Sequence, residues 1–336
     1  ASTSTYTLDP TADTGAGALT GTGNGKQIVL ETKGSGAYAN GFPLTNTSAS
    51  LTTNGAYMII KPGTHTLKIR YWVRDKDTGI EGTITKLIPS HTFAKNEYVN
   101  MEADLQIKNY DGDHYYMWDA QEQYWKGYEW TKNLPAGVGQ PTINSWLPGA
   151  TTSSNYPQSN TDPRYYNKNY PGNGISNPAI HSCKDLPNVN ELTWYAAYGE
   201  PRYDADELWT TMGHLYKGGM WFKKKSVLVA DHHYDTEKSF DGTDWRTTGK
   251  KRTWYASLTL PSIADAGNYF YLPALGFYYS GQLHYVGDSG YYWSSSAHPS
   301  FGSGTAYFLN FTNSGSVQVD YNYNNRNFGM RVGKFE

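Results

Sequence analysis

Residues 66 to 75, TLKIRYWVRD, alternate apolar and basic side chains: Leu67, Ile69, Tyr71 and Val73 point one way, Lys68, Arg70 and Arg74 the other. A period of two is the signature of a half-buried strand. It constrains the front of this 336-residue chain more than any other feature. KQIVLE (26–31), AYMIIKPG (56–63), GTITKLI (82–88) and EYVNMEADLQI (97–107) carry similar strand character. Lys61-Pro62-Gly63 and Asp75-Lys76-Asp77-Thr78-Gly79 separate the runs as turns. Short strands at this spacing, with no helical period among them, predict an all-β sandwich over residues 1–115. Residues 1–25 are small and polar and read as a lead or edge segment.

Composition changes at YDGDHYYMWDAQEQYWKGYEW, residues 110–130, where aromatic residues crowd together. A second domain is expected over 116–336, with an irregular segment at 131–178 rich in Pro, Asn and Ser. Two helices are predicted in it. Asn188-Val189-Asn190-Glu191 offers an acceptor at the N-cap and Glu three residues on, a capping box opening ELTWYAAY. Asp204-Ala205-Asp206-Glu207 repeats the device before ELWTTMGHLY, which Gly218-Gly219 would end. Short strands follow: GMWFKKKSVLV, RTWYASLTL, NYFYLPAL, GYYWSSS, TAYFLNF, SVQVDY and NFGMRVGKF. Strands around two helices make this domain α+β.

The net charge of -2 argues against nucleic acid, which needs a basic face. Nor does any stretch approach the roughly 20 apolar residues of a membrane span. The one cysteine, Cys183, excludes an intrachain disulfide and a multi-cysteine zinc site. The opening ASTSTYTLDP reads as a mature or truncated start, from which a lipid anchor could have been lost. Thirty Tyr and 11 Trp against 11 Phe favour side chains with an apolar face and a polar edge, which suit binding surfaces. Together with abundant Asn, Gly and Thr and the lack of disulfides, this composition fits an extracellular bacterial protein.

From Cys183 onward the chain resembles the C-type-lectin-like fold of the formylglycine-generating enzyme family and the Fibrobacter major paralogous domains. The resemblance rests on CKDLPNVNELTWY, GGMWFKK, YFYLPALGFYY, GYYWSSS, AYFLNF and the closing GMRVGKF, in that order. LKIRYWVRD and EYVNMEADLQI resemble a fimbrillin domain of Bacteroidetes surface pili. The pairing implies a cell-surface adhesion protein, a pilus tip subunit that binds a glycan or a surface protein. It further implies an outer-membrane or fimbrial location and strand complementation with other pilus subunits. The alternatives are a structural fimbrial subunit without ligand and an enzyme acting on surface polysaccharide.

No catalytic residue, metal ligand or cofactor is expected. The formylglycine-generating chemistry implied by the resemblance uses paired cysteines, and Cys183 is alone. Asp231-His232-His233-Tyr234-Asp235 and Asp111-Gly112-Asp113 read as polar turns. The ligand triplets of calcium-dependent lectins do not occur. Expected ligand contacts are His298, in an exposed loop from Ser294 to Gly304, and the tail residues Tyr321, Tyr323, Asn324, Asn325 and Arg326. There Tyr rings would stack on a sugar while Asn and Arg bond its hydroxyls.

Overall fold

The structure, a computed structural model, describes residues 5–9, 18–22, 28–34, 36, 39–44, 49–110, 114–128, 154–169, 178–211, 213–322, 325–333 and 335–336. It is mostly β-sheet with three short α-helices among the described residues. No described helix is long and apolar enough to cross a membrane. The chain divides into two compact units, 1–71 with 83–106, and 72–82 with 107–336. One hairpin turn, within 72–82, goes with the second unit.

In the first unit β1 (Thr5–Asp9) pairs antiparallel with β2 (Ala18–Thr22). The long hairpin of β3 (Gly63–Arg74) and β4 (Glu81–Phe93) begins there. The period of two holds in β3: His65, Leu67, Ile69 and Tyr71 are half-buried, while Lys68, Arg70 and Trp72 are exposed. Against the expected sandwich, the described residues of this unit contribute two hairpin-like pairs, β1–β2 and β3–β4. Residues 28–31, 56–62 and 97–107 join no strand, and β1–β2 and β3–β4 remain two-stranded sheets. Strand character in a side-chain pattern needs a partner to become a ladder, and Ile28, Val29, Tyr57, Ile59 and Tyr98 are instead exposed.

The second unit contains β5 (Lys108–Asn109), β6 (Tyr115–Tyr116), α1 (Val189–Tyr198), β7 (Arg202–Thr211), β8 (His214–Lys223), α2 (Lys225–Ala230), α3 (Trp245–Thr248) and β9 (Arg252–Tyr255). Then come β10 (Tyr269–Pro273), β11 (Phe277–Tyr279), β12 (Gln282–His284), β13 (Ser289–Ala297), β14 (Ala306–Thr312), β15 (Ser316–Asp320) and β16 (Met330–Arg331). A four-stranded sheet runs β10-β8-β7-β5, and a six-stranded sheet runs β6-β16-β13-β14-β15-β9.

Helix α1 forms where its capping box lies: the Asn188 side chain accepts from the Glu191 N–H at 3.0 Å, and Glu191 accepts from the Asn188 N–H at 2.8 Å. The second predicted helix is corrected. ELWTTMGHLY lies across β7 and β8, which turn at Gly213 with φ of 76°. Asp204 uses its acceptor for a bulge, Oδ1 taking the N–H groups of Asp206 and Glu207. Trp209 then pairs with Tyr216 across the ladder, their rings stacked at 5.2 Å. The expected strand GMWFKKKSVLV likewise ends at Lys223, and its SVLV lies in α2.

One apolar core lies between α1, the four-stranded sheet and one face of the six-stranded sheet, through Leu192, Tyr195, Phe222, Phe270, Tyr292, Leu309 and Phe311. A smaller cluster around Trp118, Cys183, Trp293 and Phe308 covers part of the opposite face. Asp119, fully buried, ties this cluster to the segment before α1. Its carboxylate accepts from the N–H groups of Ile180, His181 and Cys183 and from the Asn167 amide.

Candidate functional site

Six residues were expected to contact a ligand. Tyr323 and Asn324 lie outside the described residues. His298, Asn325 and Arg326 are corrected as exposed contacts, for they are buried. The Asn325 amide bonds both the N–H and the C=O of Ala306. The Arg326 guanidinium donates to the carbonyls of Thr305, Asn167 and Asn169, and lies 4.2 Å over the Trp118 ring. Both side chains thus join distant segments of chain, which explains polar and charged residues in the interior. His298 sits among Phe301, Tyr307 and Tyr321, ring centroids 4.4, 5.3 and 4.0 Å away. Burial pushes its imidazole down to about 4, against a smaller opposing effect of the Gly249 backbone. Tyr321 is half-buried beside it, with the Lys251 ammonium 5.3 Å over its ring.

The expected exposed loop from Ser294 is also corrected. β13 runs on to Ala297, and Ser294 to Ala297 are buried. The Ser296 hydroxyl accepts from the Val189 N–H, and the Ser295 N–H donates to the Pro187 carbonyl. The serine run therefore seats the start of α1.

The rest of that sheet face carries a polar row. Tyr291, Asn310, Gln318 and Thr253 form one row across β13, β14, β15 and β9, each opposite the next in register. Residues paired in a ladder share a face. Neighbours of the row along the strands, Tyr292, Leu309, Phe311, Val317 and Val319, point into the core. Tyr291 and Gln318 are half-buried and Thr253 is exposed. Asn310 is only 6% exposed, and its Oδ1 has no hydrogen-bond partner among the described residues. A side-chain hydrogen bond joins Tyr291 to Asn310. Burial, then the nearby Tyr285 and Asp288, push the Tyr291 phenol up to about 12, so it is neutral at ordinary pH.

An aromatic patch continues from the row. Phe277 meets Tyr291 edge-on at 4.7 Å and stacks on Phe328 at 5.0 Å. His284 stacks on Phe277 at 5.4 Å, Tyr285 lies 5.9 Å from it, and Tyr279 meets Phe328 at 4.9 Å. Tyr279 is 43% exposed, while Phe277, His284, Tyr285 and Phe328 are half-buried. The face thus sets fixed ring surfaces beside hydroxyl and amide groups, an arrangement that holds polyhydroxylated or peptide ligands. Sequence reasoning missed these residues. The available signal was polar interruption of apolar strands, Asn310 within FLNF and Gln318 within VQV.

Among the described residues one group has metal-ligating spacing: Asp75, Asp77 and His214, with ligand atoms within 4.8 Å of one another. The oxygens of Asp75 are already engaged. Oδ1 accepts from the Asp77 and Thr78 N–H groups, and Oδ2 from the Leu215 N–H and His214 Nδ1. Burial works to raise the Asp75 carboxyl, but these N–H groups and His214 outweigh it and hold it below the usual range. The group is a polar clasp on the β7–β8 turn. His233, from the loop after α2, stacks on Tyr198 at 4.0 Å.

No family model matches the chain, and no curated protein or solved structure matches it.

Proposed function

We propose that this chain is a cell-surface adhesion protein that binds a glycan on the face of its six-stranded sheet that carries this polar row. The observation that carries the reading is the row Tyr291–Asn310–Gln318–Thr253, with an enclosed amide oxygen at its centre that lacks a partner among the described residues. An unmet buried acceptor costs about 1–3 kcal/mol, which a ligand hydroxyl reaching Asn310 would recover. The rings of Tyr291, Phe277 and Tyr285 offer apolar surface for a pyranose face, and Gln318, Thr253 and Asp320 offer hydrogen bonds to its hydroxyls.

In this reading the second unit is a C-type-lectin-like domain that binds without bond-breaking. The first is a fimbrillin-like domain that takes a strand from a neighbouring pilus subunit at the outer-membrane surface or in a fimbrium. The support for strand exchange is physical. The apolar face of β3, Leu67, Ile69 and Tyr71, is only half-covered, and exposed apolar residues lie at 28–30, 57 and 59. Such surface gains most from an added strand, whose backbone supplies ladder hydrogen bonds.

The test is a glycan array probed with the full chain and with its Tyr291→Ala and Gln318→Ala variants. The reading requires a glycan hit that both changes weaken. Absence of any hit, or a hit indifferent to both changes, overturns it.

A further inference from the structure

A cavity of about 480 Å3 lies within the second unit. Ligand sites commonly occupy roughly 300–1,000 Å3. Five consecutive residues of β10, Tyr269 to Pro273, line it, opposite Tyr292, Arg331, Gly333 and Glu336. Alternate residues of a strand point to opposite faces, so an unbroken run of lining residues means the cavity follows the strand's edge. Among the described residues β10 is the edge strand of its sheet, with β8 as its one ladder partner.

The ladder fixes which backbone groups turn toward that edge. Tyr269, Tyr271 and Pro273 lie opposite Lys223, Trp221 and Gly219. The Lys223 N–H donates away from β10, to the Gly199 carbonyl, and Pro273 has no N–H. In an antiparallel pair hydrogen-bonded and non-hydrogen-bonded positions alternate. Phe270 and Leu272 therefore hold the ladder bonds, while the N–H and C=O of Tyr271 and the C=O of Tyr269 face the open edge. The Tyr269 N–H is engaged by the Ala266 carbonyl, and the Pro273 carbonyl by the Tyr292 hydroxyl. Among the described residues, what remains is acceptor, donor, acceptor at the spacing of an extended backbone.

The side chains around this edge are rings with a mixed-charge rim. Trp221 and Tyr271, a cross-strand pair 4.9 Å apart, are half-buried, and Tyr110, Trp209, Phe270 and Tyr292 are buried deeper. Lys108, Glu207 and Glu336 are exposed at the rim.

We propose that this cavity binds an extended peptide, which pairs with the open edge of β10 and inserts an aromatic side chain among the rings. Backbone pairing gives such complexes affinity, and side-chain pockets give them specificity. A saccharide has no repeat of donor and acceptor matched to a strand edge, so the peptide is the better fit. The proposal does not depend on the sheet-face reading and stands if that one fails.

The test uses the full chain, isotopically labelled, titrated with the capped tripeptide acetyl-Gly-Trp-Gly-amide while the Tyr271 amide resonance is followed. The expected result is a saturable downfield shift of that resonance, with affinity falling about tenfold when the tripeptide backbone is N-methylated at Trp. Trp221→Ala should weaken binding similarly, and the N-methylated probe reads the same contact without altering the protein. An unmoved Tyr271 amide overturns the proposal. So does equal binding of the N-methylated peptide or of 3-methylindole alone, or a response to N-acetylglucosamine in place of the peptide.

Discussion

Asn325 holds both backbone groups of Ala306: its Oδ1 accepts the Ala306 N–H at 2.8 Å and its Nδ2 donates to the Ala306 carbonyl at 2.8 Å. One fully buried amide thus substitutes for a strand neighbour at the start of β14. Asn325→Ala leaves two buried backbone groups unpaired, at about 1–3 kcal/mol each. Urea unfolding should show a loss of about 2–5 kcal/mol. A loss near zero would mean that Asn325 is the solvent-facing contact its sequence context suggested.

Cys183 is buried, and its Sγ accepts the Asp119 N–H at 3.2 Å. Burial pushes the thiol up, so the reactive thiolate is scarce in the folded protein. A disulfide reagent such as DTNB should leave the native chain unmodified and titrate one thiol per chain only after denaturant is added. Rapid labelling of the native chain would contradict the burial.

His298 supplies a pH dependence. Its folded value of about 4 lies below the ordinary 6.5, so the unfolded chain takes up the proton first. The neutral form stabilises the fold fully above about pH 6.5, and that contribution is lost as pH falls toward about 4. The linkage amounts to ~3 kcal/mol. Urea midpoints measured across this range should fall more for the parent chain than for His298→Phe. Parallel profiles would remove His298 as the source.

Local chemistry was legible in the sequence, and partners distant along the chain were not. α1 was readable because both halves of its cap, Asn188 and Glu191, lie within one turn. The same signature at Asp204 misled, since an Asp acceptor serves a bulge as well as a cap, and the pairing of Trp209 with Tyr216 decided for strands. In β3 the alternation predicted which side chains are half-buried; it could not show that residues 28–31 and 97–107 would find no ladder among the described residues. Asn325 and Arg326 read as an exposed polar turn because their partners, Ala306, Thr305 and Asn167, are far off in sequence. Asn310 and Gln318 were visible as polar residues inside apolar strands, but register alone places them beside Tyr291.

The most direct measurement for the sheet-face account is calorimetric titration of the full chain with the strongest glycan from the array, alongside Gln318→Ala. Gln318 is half-buried and, among the described residues, its amide bonds only the Ser316 hydroxyl, at 3.3 Å, so its loss should leave the urea midpoint unchanged. The account predicts affinity lowered about tenfold at unchanged stability. Undiminished affinity in that variant would contradict it.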